Sequence, residues 1–109
     1  MAIKANIVID QGTDYETVIN VTDENGDIVN LTGYTGAAQM RKHYTSSAQT
    51  AFTITVSAQS GAVTLAMNAA TTNAISSGRY VYDCELRSSS NIVSRLIEGI
   101  VTVTPQVTR

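Results

Sequence analysis

The sequence predicts an all-β chain, an immunoglobulin-like antiparallel β-sandwich of about seven strands with one short helix between strands five and six. Three observations predict it. Apolar and polar residues alternate with a period of two along most of the chain. Val, Ile and Thr, which favour strands, are abundant beside Ser and Ala. Gly- and Asn-containing turn signals punctuate the alternating runs about every 10–15 residues. A small closed barrel is the alternative architecture.

Each element has its own signal. Ile3, Ala5, Ile7 and Ile9 alternate with Lys4, Asn6, Val8 and Asp10, a first strand that stops at Gln11-Gly12. A second strand spans about Tyr15 to Thr22, with Tyr15, Thr17, Ile19 and Val21 on one face. Asp23-Glu24-Asn25-Gly26-Asp27 is a turn, because Asn-Gly accepts the positive φ of tight turns. Ile28-Val29 begins a short return strand, and Leu31 anchors the connection Leu31-Thr32-Gly33-Tyr34.

A third strand covers about Thr35 to His43, with Ala38 and Met40 inward and Gln39 and Arg41 outward. The fourth, Thr50 to Ser57, buries Phe52, Ile54 and Val56. It forms a hairpin through Gln59-Ser60-Gly61 with a fifth strand carrying Val63, Leu65 and Met67. Asn68 caps one or two helical turns that end at Ser76-Ser77-Gly78. Arg79 to Arg87 is the sixth strand, with Tyr80, Tyr82, Cys84 and Leu86 on one face. After the loop Ser88 to Asn91, the last strand runs from Ile92 to Thr104, with Gly99 as a bulge, and Pro105 ends the pairing. Residues 1–105 thus form a single sandwich domain and 106–109 a free tail.

At 109 residues and 11.6 kDa the chain can bury one core without staples. Only 15% of residues are charged, against about 25% in an average soluble domain, so an unusual share of the surface is neutral. Seven Lys and Arg oppose nine Asp and Glu, and the basic residues stand singly apart from Arg41-Lys42. Phosphate-neutralising proteins carry a basic stripe, so no nucleic-acid partner is expected. No basic start followed by an apolar run marks a signal peptide, and no apolar run is long enough for a membrane helix. Cys84 is the sole cysteine, which excludes an internal disulfide and points to a reducing compartment.

The residues capable of chemistry do not assemble into a motif. His43, the only histidine, follows a strand end and lacks a GxSxG-type nucleophile, so it reads as an exposed group. Cys84 shares its face with Tyr80, Tyr82 and Leu86 and reads as a small core residue. Asp23, Glu24, Asn25 and Asp27 lack calcium-loop spacing, since Gly26 falls at position four, not six. Asp83 and Glu85 lie about 7 Å apart on one strand face, within glycosidase range, yet mid-strand and without a cleft. Pairing with Arg79, Arg87 or Arg95 is the plainer reading; Arg41 and Arg87 could anchor an interface. No phosphate-cradling glycine motif occurs. We therefore expect no catalytic residues, no cofactor and no metal site.

Several stretches in order resemble small bacteriophage virion proteins. They are Asp10-Gln11-Gly12-Thr13-Asp14-Tyr15 with Val21-Thr22-Asp23-Glu24-Asn25-Gly26, Leu31-Thr32-Gly33-Tyr34 with Ala38-Gln39-Met40-Arg41, then Gly78-Arg79-Tyr80-Val81-Tyr82-Asp83, and Glu98 to Pro105. The succession is similar to the immunoglobulin-like module of phage tail and baseplate proteins, above all the amino-terminal domain of upper baseplate proteins. The resemblance implies a non-enzymatic structural component of a tailed phage, in tail, neck or baseplate, made in the host cytoplasm and carried in the virion. It also implies a marine or cyanobacterial host. Its partners would be other virion proteins and copies of itself, with no nucleic acid and no membrane. The first and last strands, being terminal and sparsely charged, are the expected pairing edges. A capsid decoration or host-glycan-binding module is the alternative, using Tyr34, Tyr44 and the loops Thr45 to Gln49 and Ser88 to Asn91. A small hydrolase built on His43 or the Asp83/Glu85 pair is a third possibility, with the least support.

Overall fold

The computed structural model describes residues 3–23 and 25–108 as two packed sheets of nine strands. In chain order these are β1 (Ile3–Lys4), β2 (Ile7–Asp10), β3 (Tyr15–Asn20), β4 (Thr35–Arg41), β5 (Thr50–Ala51), β6 (Thr53–Ser57) and β7 (Ala62–Met67). The helix α1 (Ala69–Asn73) follows, then β8 (Gly78–Arg87) and β9 (Val93–Thr104). The larger sheet has the order β1-β9-β8-β4-β5, with β2 also on β9; the smaller is β3-β7-β6. Strands that are consecutive in sequence lie in opposite sheets at the β2–β3 and β3–β4 connections, as in an immunoglobulin-like sandwich.

The core follows from the alternation. Ile7, Ile9, Ala38, Met40, Tyr82, Cys84, Leu86, Val101 and Val103 project from the larger sheet onto Val63, Leu65 and Met67 of the smaller. Phe52 lies between them, its ring edge-on to Tyr82 at 6.2 Å between centroids. Leu31 is buried as the anchor of its connection. Asn68 caps α1, its Oδ1 accepting from Thr71 N at 2.8 Å. Tyr80, near the start of β8, donates its hydroxyl to Ser76 O at 2.7 Å, a tyrosine corner that pins the chain leaving α1.

Several expectations need correcting. Two strand pairings are parallel, because β1 and β2 lie along β9 in the same direction (Ile3 opposite Ile97, Ile7 opposite Val101). The fourth sequence strand is two: β5 pairs with β4, Phe52 turns, and β6 pairs with β7 in the other sheet. Alternation runs unbroken through Phe52, so the change of sheet leaves no mark on the pattern. Ile28 forms only an isolated bridge to Thr22, with Val29 N bonded to Val21 O, and no return strand develops.

Gly99 lies in register with Tyr82, and the bulge falls at Leu96, between the pairs Cys84–Ile97 and Glu85–Arg95. The glycine serves a different need. A Cβ there would collide with the carbonyl of Ala5, which breaks the first strand into β1 and β2. Ala5 N donates to Glu98 O at 2.9 Å, and its carbonyl accepts the Tyr82 hydroxyl at 2.6 Å. Asn6 Oδ1 takes the bond from Ile100 N that a backbone carbonyl would otherwise make. Gln106 is also held, its N–H donating to Gln11 Oε1 at 3.1 Å, so the chain stays attached past Pro105. Arg109 lies outside the described residues.

Candidate interaction surface

The residues singled out for chemistry separate in space. His43 is exposed and lines a shallow depression of about 310 Å³ with Lys42, Arg79, Tyr80, Val81 and Ile100, which holds no carboxylate to orient it and no Ser, Thr or Cys for it to activate. Lys42 Nζ sits 4.9 Å from the centroid of the Tyr80 ring. Cys84 has no exposed surface, and burial, reinforced by Asp83 and Glu85, pushes its thiol up to about 11. A thiol held neutral at pH 7 is a packing group.

Asp23 closes its turn: Oδ1 accepts from Asn25 N at 2.9 Å and Asp27 N at 3.0 Å, and Gly26 adopts φ +83. Glu24 lies outside the described residues. No cluster of three or more His, Cys, Asp or Glu able to hold a metal occurs among the described residues. Asp83 pairs with Arg95 (3.4 Å), which also approaches Glu98 at 3.6 Å. These are half-exposed ion pairs on the outer face of the larger sheet, each worth well under about 1 kcal/mol.

Arg41 is not a free anchor. Its guanidinium donates to Ser46 O (2.6 Å), Ser47 O (3.1 Å) and Gln39 Oε1 (3.0 Å), clamping the loop that follows β4. Tyr34 is half-buried against the core, whereas Tyr44 is 77% exposed on that clamped loop. The two tyrosines proposed for glycan contact therefore do not form a shared platform.

What the fold does present is a set of sheet edges. β9 is enclosed by β8 on one side and β1–β2 on the other, so the last strand is not an edge, contrary to expectation. The edges are β1–β2 and β5 in the larger sheet, and β3 and β6 in the smaller. Unpaired edge groups are templates for another strand unless charge, proline or a break guards them. The β1–β2 edge carries Lys4 and Asp10 at its ends and the break at Ala5-Asn6. The β3 edge carries Glu16, next to Asp14. β5 is two residues long. The far side of β6, Thr53-Ile54-Thr55-Val56-Ser57, carries no charge but faces β4: Phe52 N bonds to Ala38 O before it, Leu31 N bonds to Ala58 O after it, and Ile54 lies against Gly36.

Its surroundings are neutral too. From His43 to Gly78, a third of the chain, there is no Asp, Glu, Lys or Arg. That run folds into β5, β6, β7 and α1. The outer face of the smaller sheet consists of the rows Thr53–Ala66–Glu16, Thr55–Thr64–Val18 and Ser57–Ala62–Asn20. It holds one charged side chain, and Val18 in the middle row is 52% exposed. The outer face of the larger sheet instead carries Arg79, Asp83, Arg95 and Glu98. The signal was in the sequence as the gap between Lys42 and Arg79. Only the fold shows that the gap maps to one side of the molecule.

No family model matches the chain, and no curated protein matches it. In fold it is similar to a solved structure of an internalin-like protein of Listeria monocytogenes, with 16% identity and a TM-score of 0.53. The match covers 94% of this chain and 28% of that one, so the chain spans little more than a quarter of that protein's length. At this identity the likeness concerns the two-sheet architecture.

Proposed function

We propose that the chain is a structural, non-catalytic component of a tailed-phage virion, in the tail, neck or baseplate, which acts by protein–protein assembly. The observation that carries this reading is the neutral third of the chain, whose strands β6 and β7 form most of a nearly uncharged sheet face. Interface centres are depleted of charged residues. The residues behind the phage resemblance have matching structural duties: Leu31 is buried, Gly33 turns at φ +82, and Tyr80 and Tyr82 hold the corner and the core. Partners are other virion proteins and copies of the chain. Quantitative mass spectrometry and antibody labelling of purified particles of a phage encoding the chain test it. Label confined to the tail, neck or baseplate is expected, and absence from intact particles refutes the reading.

A second reading, a capsid decoration or host-glycan module, is favoured by one observation. Tyr44, 77% exposed, borders a small depression with Gln39 and Arg41. Glycan-array binding abolished by Tyr44→Ala would establish it; capsid label in the same particle experiment would place it on the head.

A further inference from the structure

We infer that copies of the chain associate head to tail: the turn of one copy that carries Asp23, Asp27 and Ile28 seats in the cationic depression beside Arg79 of the next. The inference rests on the assembly reading and names a partner within it.

The depression gathers charge of one sign. Arg41 is paired with Val81 across β4 and β8. Continuing that register brings Lys42 beside Tyr80, where its Nζ lies 4.9 Å from the ring centroid, and His43 beside Arg79. Three of the seven Lys and Arg, with the only histidine, therefore meet at one corner of the charged outer face of the larger sheet. Arg41 donates to carbonyls and an amide, which leave its charge uncompensated. Lys42 and Arg79 form no ion pair among the described residues, and both ion pairs on that face are made by Arg95. Val81 and Ile100 floor the depression, and no carboxylate lines it. A cationic rim around an apolar floor fits a carboxylate that stands beside an aliphatic side chain.

The chain carries such a group at its other end. β8 starts at the cationic corner and runs ten residues, about 30 Å, to Arg87. β7 ends at Met67, next to the helix that leads into β8, so its start at Ala62 and the paired Asn20 of β3 lie at the opposite end. There the chain projects as a hairpin: Val21 N bonds to Gly61 O, Val29 N to Val21 O, and Asp23 N to Asp27 O. Asp23, Asp27 and Ile28 are exposed at its tip, Ile28 at 62%. Neither carboxylate has an ion pair among the described residues. Asp23 Oδ1 already holds the turn closed, so little freedom is lost on docking.

A contact between two different patches is heterologous. Each bound copy keeps one free corner or one free tip, and the contact repeats into a ring or a filament. The patch is smaller than a standard interface, so single pairs associate weakly, with a dissociation constant of about 10 µM to 1 mM, and gain strength from multivalency in an assembly.

Sedimentation of the full chain up to about 1 mM tests the contact, and the unaltered chain is expected to reach species larger than a dimer. Lys42→Glu with Arg79→Glu sets like charge against the acidic turn and raises the dissociation constant by at least about tenfold. Asp27→Asn with Ile28→Ser strips the tip and raises it by a similar factor. The two variants still hold one native corner and one native tip between them. Their equimolar mixture therefore regains a one-to-one dimer and goes no further. All four side chains are exposed, and circular dichroism verifies that the variants fold. As a second measurement, a mixture of His43→Cys and Asp27→Cys oxidises to the mixed disulfide dimer ahead of either homodimer. Cys84, buried with a raised thiol pKa, does not compete.

Monomer at every concentration overturns the inference, as does association that neither variant pair weakens. A dimer as the terminal species of the unaltered chain overturns it too, because two copies would then close both contacts on each other. So does a mixture of the variants that stays monomeric, or association undiminished between about 0.1 M and 1 M sodium chloride. Particle labelling and sedimentation can each fail without the other, so failure of the virion reading and failure of the head-to-tail contact remain distinct.

Discussion

Tyr82 shows how one side chain ties distant parts of the chain together. Its ring fills the core against Phe52, and its hydroxyl satisfies the carbonyl of Ala5 at the break between β1 and β2. Burial, with Tyr15 and Cys84 adding to it, pushes the phenol up to about 12. Tyr82→Phe keeps the packing and leaves that carbonyl without its donor, at a cost of about 1–3 kcal/mol in urea denaturation. Two residues further along β8, Cys84 gives a pH dependence. Its thiol titrates near 9.0 when exposed and near 11 in the fold. Below pH 9 both states are protonated and stability is complete. Between about pH 9 and 11 the unfolded chain loses the proton while the native chain keeps it, so stability falls by about 2–3 kcal/mol. Unfolding midpoints at pH 8 and 11 measure the drop, about half of which is complete by pH 10, and Cys84→Ala, though less stable at pH 8, shows a smaller one. The packing role of Cys84 was legible from its alternation with Asp83 and Glu85. The partner of Tyr82 was not, because nothing local marks a carbonyl 77 residues away.

At the scale of elements, the alternation fixes which face of a strand is buried and says little about its neighbours. Met40, Val63, Leu65, Met67, Leu86 and Val103 are buried as their positions require. The same pattern passes unaltered from β5 to β6 although the strands belong to different sheets, since both send side chains into one core. Gly99 was legible as an exception within a strand but not for its cause, which is the approach of a third strand. Gly99→Ala forces a methyl group against Ala5 and detaches β1. Faster amide exchange at residues 3–6 and a loss of about 1–3 kcal/mol are expected, with β8–β9 exchange unchanged. If exchange rises along β8 instead, the glycine's role lies in the antiparallel ladder and not in the parallel one. The cap of α1 was fully legible, because Asn68 precedes a helical turn and its bond to Thr71 is local. Asn68→Ala costs about 1 kcal/mol in the same assay.

For the molecule as a whole, the low charge is unevenly distributed, and that distribution bears on how copies meet. Charged side chains collect on the outer face of the larger sheet, around Arg79, Asp83, Arg95 and Glu98, while the smaller sheet and its β6 edge are almost free of them. The sequence displays the neutral run from His43 to Gly78. It cannot display that β6 and β7 of that run build one outer sheet face with β3, because a face is defined by which strands pair. Two modes of association follow, and ionic strength separates them. Raising salt from about 0.1 M to 1 M shortens the Debye length from about 10 Å to about 3 Å and weakens contacts between charged faces. Association through the outer face of the smaller sheet desolvates only Glu16, so its dissociation constant should change less than about threefold over that range, and sulfate should strengthen it by favouring burial. Steep salt weakening of the unaltered chain, read by sedimentation equilibrium, would instead assign the contact to the charged face of the larger sheet.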